Sequence, residues 1–204
     1  MYYDMRIYTL KPGSTKEFLE RFAEVLPTRL KYSELTGFWY TDAGALNQVI
    51  HVWEYKDGVD RMKVREAVSK DSNWPPKVRE FIVSQENMLL KPAGIVPTPM
   101  KGELGAIYEM RQYTFKPGKI PLVNERWAVI IEERKKISPL AACWFTDVGP
   151  ANTWIHLWPY PDMNARDVAR AAQGKLDGWP PDTREFMETQ QNRILIPAPF
   201  SPMR

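Results

Sequence analysis

His51 and His156 are the only histidines among the 204 residues, and each sits inside a strand-like run, His51-Val52-Trp53 and His156-Leu157-Trp158. Imidazole titrates near neutrality, so either ring could serve as a general base or acid. A haem or metal ligand is a second use, and a hydrogen-bonded structural histidine is the bland one. No Cys or second His stands at ligand spacing from either ring, so neither a metal nor a cofactor is expected. Arg6 and Arg111 occupy equivalent strand positions. A guanidinium facing a low-dielectric cavity must find a carboxylate, here Asp4, Glu86 or Glu109, or an anionic ligand such as a carboxylate or enolate. Tyr8, Tyr55, Tyr113 and Tyr160 could donate to a carbonyl. Trp39, Trp53, Trp144 and Trp158 could stack on an aromatic ligand, although such residues also fill cores. Trp74 and Trp179 each precede Pro-Pro and read as plugs, and Asn47 and Asn152 read as turn residues.

These residues come in pairs because the chain is a duplication. Met5-Arg6-Ile7-Tyr8-Thr9-Leu10-Lys11-Pro12-Gly13 returns as Met110-Arg111-Gln112-Tyr113-Thr114-Phe115-Lys116-Pro117-Gly118, an offset of 105. The same offset carries Thr41-Asp42, Asn47, His51, Trp53, Trp74-Pro75-Pro76 and Arg79-Glu80-Phe81 onto identical residues. About 40 positions match in one ungapped register, which chance does not produce. Gly94 to Gly105 holds Pro97, Pro99 and Gly102 with little periodicity, so we divide the chain into repeat 1–94, linker 95–105 and repeat 106–204.

Within one repeat, Tyr2 to Leu10 reads as a strand ended by Lys11-Pro12-Gly13. Ser14 or Thr15 can cap a helix, with Glu17 placed for a capping box. Phe18, Leu19, Phe22, Val25 and Leu26 then give one apolar stripe at helical spacing. Strands are expected near Leu35–Thr41, Gln48–Tyr55 and Gln85–Leu90. A weaker helix should begin near Asp57, and Pro76 suits the first turn of a short helix through Phe81. The order is βαββαβ, the ferredoxin-like pattern.

Such a unit covers one sheet face with helices and leaves the other bare. Alternation puts Met5, Ile7, Phe38, Tyr40, Ile50 and Val52 on the helix side. Arg6, Tyr8, Trp39, His51, Trp53 and Tyr55 then face the opposite way, as do Arg111, Tyr113, Trp144, His156, Trp158 and Tyr160. Two Trp and two Tyr at roughly 150–250 Å² each amount to an exposed area on the order of 800 Å². The largest apolar patch of a typical monomer is roughly 300–600 Å². The second repeat is the nearest cover, so the expected fold is α+β, two ferredoxin-like βαββαβ repeats packed sheet to sheet as a fused α/β barrel. The polar and aromatic residues would then line a cavity between the sheets.

The run from Met5 to Gly13, with Gly37-Phe38-Trp39, Asn47 to Trp53 and Ser84-Gln85-Glu86-Asn87, resembles the NIPSNAP family, twice over. The resemblance implies the dimeric α/β-barrel fold and brings no agreed chemistry. The second copy departs from it: Ala142-Cys143 replaces Gly37-Phe38, Thr153-Trp154 replaces Gln48-Val49, and Gln191 replaces Glu86. A site built on those positions would exist in one half.

A net charge of +3, spread along the chain, argues against nucleic acid or membrane as the main partner. The strand-like run Val49 to Tyr55 lacks the basic-glycine-aromatic signature of an RNA-recognition module. No phosphate loop, GxGxxG, GxSxG or CxxC is present. Cys143 stands alone, so no internal disulfide can form, and the N-terminus runs straight into a strand pattern; a cytoplasmic location is expected. Whether the chain is an enzyme is not legible. The expected function is binding, or transformation, of a small acidic or aromatic metabolite; a homodimer of the fused barrel is the expected assembly. The competing reading is an interaction module with a packed interior.

Overall fold

In the computed structural model, which describes residues 1–204, the first repeat runs β1 (Tyr2–Leu10), α1 (Thr15–Leu30), β2 (Leu35–Ala43), β3 (Gln48–Tyr55), α2 (Gly58–Ser69) and β4 (Ile82–Pro92). The second repeats it as β5 (Ile107–Phe115), α3 (Ile120–Lys135), β6 (Ala142–Val148), β7 (Thr153–Tyr160), α4 (Met163–Gln173) and β8 (Met187–Pro197). All eight strands join one closed antiparallel barrel in the order β1-β3-β2-β8-β5-β7-β6-β4. The repeats meet along two seams, β4 with β6 and β8 with β2.

Local chemistry explains most element boundaries. Gly13 and Gly118 take φ of 80° and 75°, the left-handed region open to glycine, where β1 and β5 turn toward their helices. Asn47 and Asn152, at φ 57° and 53°, close the turns into β3 and β7 as the amide side chain permits. Asp57 and Asp162 cap α2 and α4 by accepting the backbone N–H of Asp60 and Ala165.

Two local expectations fail. Ser14 does not cap α1 through its side chain; its hydroxyl donates to the Lys11 carbonyl, and Glu17 pairs with Arg21 instead of reaching back. The Pro76 helix shrinks to a 3₁₀ turn over Arg79–Phe81 that leads directly into β4.

The larger correction concerns the faces. A cluster drawn from both repeats, and from no helix, fills the barrel: Met5, Ile7, Trp39, Ile50 and Val52 with Met110, Trp144, Ile155 and Leu157. Arg6, Tyr8, His51, Trp53 and Tyr55, with Arg111, Tyr113, His156, Trp158 and Tyr160, point outward beneath the helices. β2 was assigned correctly and β1 and β3 inversely: Phe38 pairs with His51, and Trp39 with Ile50. The reason is capacity, since an eight-stranded barrel has an interior that apolar side chains just fill. The apolar residues of β1 and β3 take that space, and Arg6 and Arg111 with their partners lie on the other face. The cavity expected between the sheets is therefore replaced by packed core.

Within that core Tyr3 stands against Trp144 at 5.8 Å between ring centroids, and its counterpart Tyr108 against Trp39 at 5.7 Å. Each pair joins one repeat to the other, so Trp39 and Trp144 belong to the barrel core and line neither of the two outer cavities. The tails are exchanged as well. Ile95 and Val96, after β4, join the second repeat's outer core, and Phe200, after β8, lies on Phe22 and Phe38 of the first. No helix is long and apolar enough to cross a membrane.

Trp144→Ala should therefore lower unfolding stability by about 3–5 kcal/mol, while Val129→Ala, on the solvent face of α3, should change it by less than about 0.5 kcal/mol. Urea denaturation with an unchanged m-value measures both.

Candidate functional site

Two equivalent cavities lie between the outer sheet face and the helices, one in each repeat. In the first, β1 supplies Arg6 and Tyr8, and β3 supplies His51, Trp53 and Tyr55. The helix α1 adds Phe22 and Arg29, α2 adds Arg65 and Val68, and Trp74-Pro75-Pro76 closes one end. Its volume is about 790 Å³, within the range of small-molecule pockets. The equivalent cavity of the second repeat measures about 310 Å³.

His51 forms the centre of the first site. It is 2% exposed, stacks on Phe38 and meets Tyr8 edge-on. Its Nδ1 accepts the indole N–H of Trp53 at 2.7 Å. A neutral imidazole that accepts at one nitrogen carries its proton on the other, so Nε2 is a donor, and no protein group receives it. Burial, then the charges of Arg6 and Arg29, hold its pKa well below the ordinary 6.5. The ring is therefore neutral at pH 7. That leaves Nε2–H an unused hydrogen-bond donor; a general base there would need the opposite tautomer. His156 repeats the arrangement, with Trp158 donating to its Nδ1.

Positive charge surrounds this ring. Asp4, fully buried, accepts from Arg6 at 3.3 Å and from Arg61 at 2.7 Å. Arg6 also donates to the Tyr8 hydroxyl. Arg29 has no carboxylate at all: it donates to Ser33 and Tyr55 and lies over the Trp53 ring at 4.3 Å. Burial, only partly offset by Tyr55, lowers the Arg29 pKa. Arg65 is likewise pulled down by burial and by its neighbours Arg6 and Arg61. Of these four guanidinium groups, only Arg6 and Arg61 pair with the carboxylate of Asp4, and Arg29 and Arg65 pair with none. A buried cation in excess of its partners is costly unless an anion completes the set.

The sequence pairing of Arg6 with Asp4, and of Arg111 with Glu109, is present in the structure. Glu86 does not take part. Arg29 was missed, as was its counterpart Arg134. Their signal was available: both end an apolar helix stripe at the same offset, with Ser33 and Ser138 four residues on. Trp74 and Trp179 pin their segments as expected, but they also wall the cavities, each edge-on to a ring of the first helix.

The NIPSNAP profile matches residues 3–97 and again 108–202. The mouse protein NipSnap homolog 3B is 31% identical over 215 residues, covering all of this chain and 86% of its own length. Human NipSnap homolog 3A is 28% identical over 220 residues with the same coverage. Among solved structures, a Fusobacterium nucleatum protein provisionally named a monooxygenase superposes with a TM-score of 0.67 over 97% of this chain and 92% of its own, at 12% identity. That likeness speaks to the fold alone.

The two histidines give the protein a defined acid sensitivity. Their folded-state pKa values are lowered, so below pH 6.5 the unfolded chain binds protons that the folded chain refuses. Stability should be complete above that value and fall as pH drops from 6.5 to 5. The slope approaches about 1.4 kcal/mol per pH unit for each ring. Carboxylates with lowered values, such as Glu109, join only below about 4.5. Urea midpoints across this window, repeated on a His51→Gln/His156→Gln variant, should show the slope in the parent and its loss in the variant.

Proposed function

The chain belongs to the NIPSNAP family in both of its halves, and from that premise we propose that it binds a small acidic metabolite with an apolar or aromatic body in the first-repeat cavity. One observation carries the reading: Arg29 is 5% exposed and lacks a carboxylate, in the same cavity as Arg6 and the free Nε2–H of His51. A carboxylate or enolate placed there would accept from a guanidinium and an imidazole together, and charge-assisted bonds of this kind are the stronger ones. Trp53, Trp74 and Phe22 offer flat apolar walls for the rest of the molecule. The mouth is solvent-accessible, bordered by Arg65, Arg79 and the exposed residues Val83 to Gln85 of β4.

These residues can do limited chemistry. They can bind an anion, orient it, and stabilise negative charge growing on an oxygen beside His51. With its Nδ1 committed to Trp53, the imidazole takes no proton at neutral pH, so a transformation by this site would rest on charge stabilisation. The packed barrel interior, which the interaction-module reading required, does not count against a ligand, because the cavity lies outside the barrel.

The experiment compares an acid with its neutral isostere. 2-Naphthoate should bind at least tenfold more tightly than 2-naphthamide by titration calorimetry, about 1.4 kcal/mol or more. Arg29→Met should abolish most of that preference while leaving the far-UV circular dichroism unchanged. Equal binding of acid and amide, or a preference untouched by Arg29→Met, would remove the basis of the reading.

A further inference from the structure

Aligned at the offset of 105, the two cavities differ at several positions, and three of the differences act together. Trp127 stands where the first repeat has Phe22, Gln173 where it has Val68, and Glu109 where it has Asp4. Phe22 lies 5.5 Å from the His51 ring; the larger Trp127 lies 4.9 Å from His156. The larger ring packs against Trp154, His156 and Trp179, and the cavity it lines is smaller, about 310 Å³ against 790 Å³. Gln173 accepts from Arg134 Nε at 2.8 Å, a bond that Val68 cannot offer Arg29. Glu109, one methylene longer than Asp4, takes Arg166 on both oxygens, Arg111 at 3.0 Å and Asn192, and comes within 3.7 Å of Arg170. The counterpart Arg65 has no such partner.

Apart from the His156 Nε2–H, which is as unpartnered as that of His51, the second repeat thus answers with its own side chains the demands that the first leaves open. Space is filled by an indole, the helix arginine is bonded by an amide, and the α4 arginine is drawn to a carboxylate. We infer that the chain carries one working anion site, in the first repeat, and that Trp127, Gln173 and Glu109 keep the second closed. This rests on the reading of the first cavity given above and adds its stoichiometry and the residues that decide it.

Two measurements test it. In crystals soaked in bromide, anomalous peaks should appear beside Arg29 and His51 and not beside Arg134 and His156. In calorimetry, 2-naphthoate should bind once per chain; Phe22→Trp should weaken it at least tenfold, and Trp127→Phe/Gln173→Val should raise the count to two. If Phe22→Trp fails to fold by circular dichroism, the second-repeat variant alone decides. Ions in both cavities, or two naphthoates on the parent chain, would overturn the single-site inference and leave the anion reading standing. No bromide and no naphthoate in either cavity would overturn both. A parent count of one that the second-repeat variant leaves at one, or that is lost only on changing the second cavity, would also overturn the assignment of these residues.

Discussion

The closure of eight strands into one ring sets the terms for everything else in this molecule. Two short antiparallel seams carry it, Leu89–Pro92 against Trp144–Val148 and Trp39–Ala43 against Ile194–Pro197. Neither repeat can satisfy those strand edges alone, and the core inside them is drawn from both. Because the ring is small, its interior is filled mostly by apolar and aromatic side chains at near-crystalline density. Arg6, Arg111 and both histidines lie on the other face, beneath the helices.

That displacement decides where chemistry can occur. On the outer face α1 and α2 arch over the sheet, with the Trp74 segment closing one end. Arginines from β1, α1 and α2 converge there, and the Trp53 indole fixes the tautomer of His51 by occupying one nitrogen. The low dielectric that makes an unanswered guanidinium expensive also makes any anion bound to it tightly held. Burial keeps the His51 ring neutral, and the Trp53 indole, by occupying Nδ1, leaves its one proton on Nε2.

The strands and helices were legible because their punctuation is strong. Gln48–Tyr55 and the capping Asp57 lie where turn chemistry and periodicity put them, and the repeat made each reading count twice. The sheet faces were not legible, for a definable reason. β3 is buried almost throughout, so both of its faces carry Ile, Val, His, Trp and Tyr, and the apolar–polar contrast that reveals orientation is missing. Alternation alone then puts Arg6, His51 and Trp53 on one face without saying which face is the lumen. The missing fact was the size of the ring. The residues of the candidate site were largely identified, but the cavity was placed on the wrong side of the sheet. Arg29 escaped because a single cation within an apolar helical stripe looks like a solvated helix end until the helix is docked.

The covalent link from Ala93 to Ala106 has a consequence beyond holding the barrel together. In a ring assembled from two identical chains, every substitution appears in both halves, so a residue that suits one cavity must also suit the other. Here the two halves are encoded separately. Phe22 could remain while Trp127 replaced its twin, and Phe38 while Cys143 replaced its own. Fusion frees the two halves from symmetry: a substitution in one cavity or its packing is not imposed on its copy.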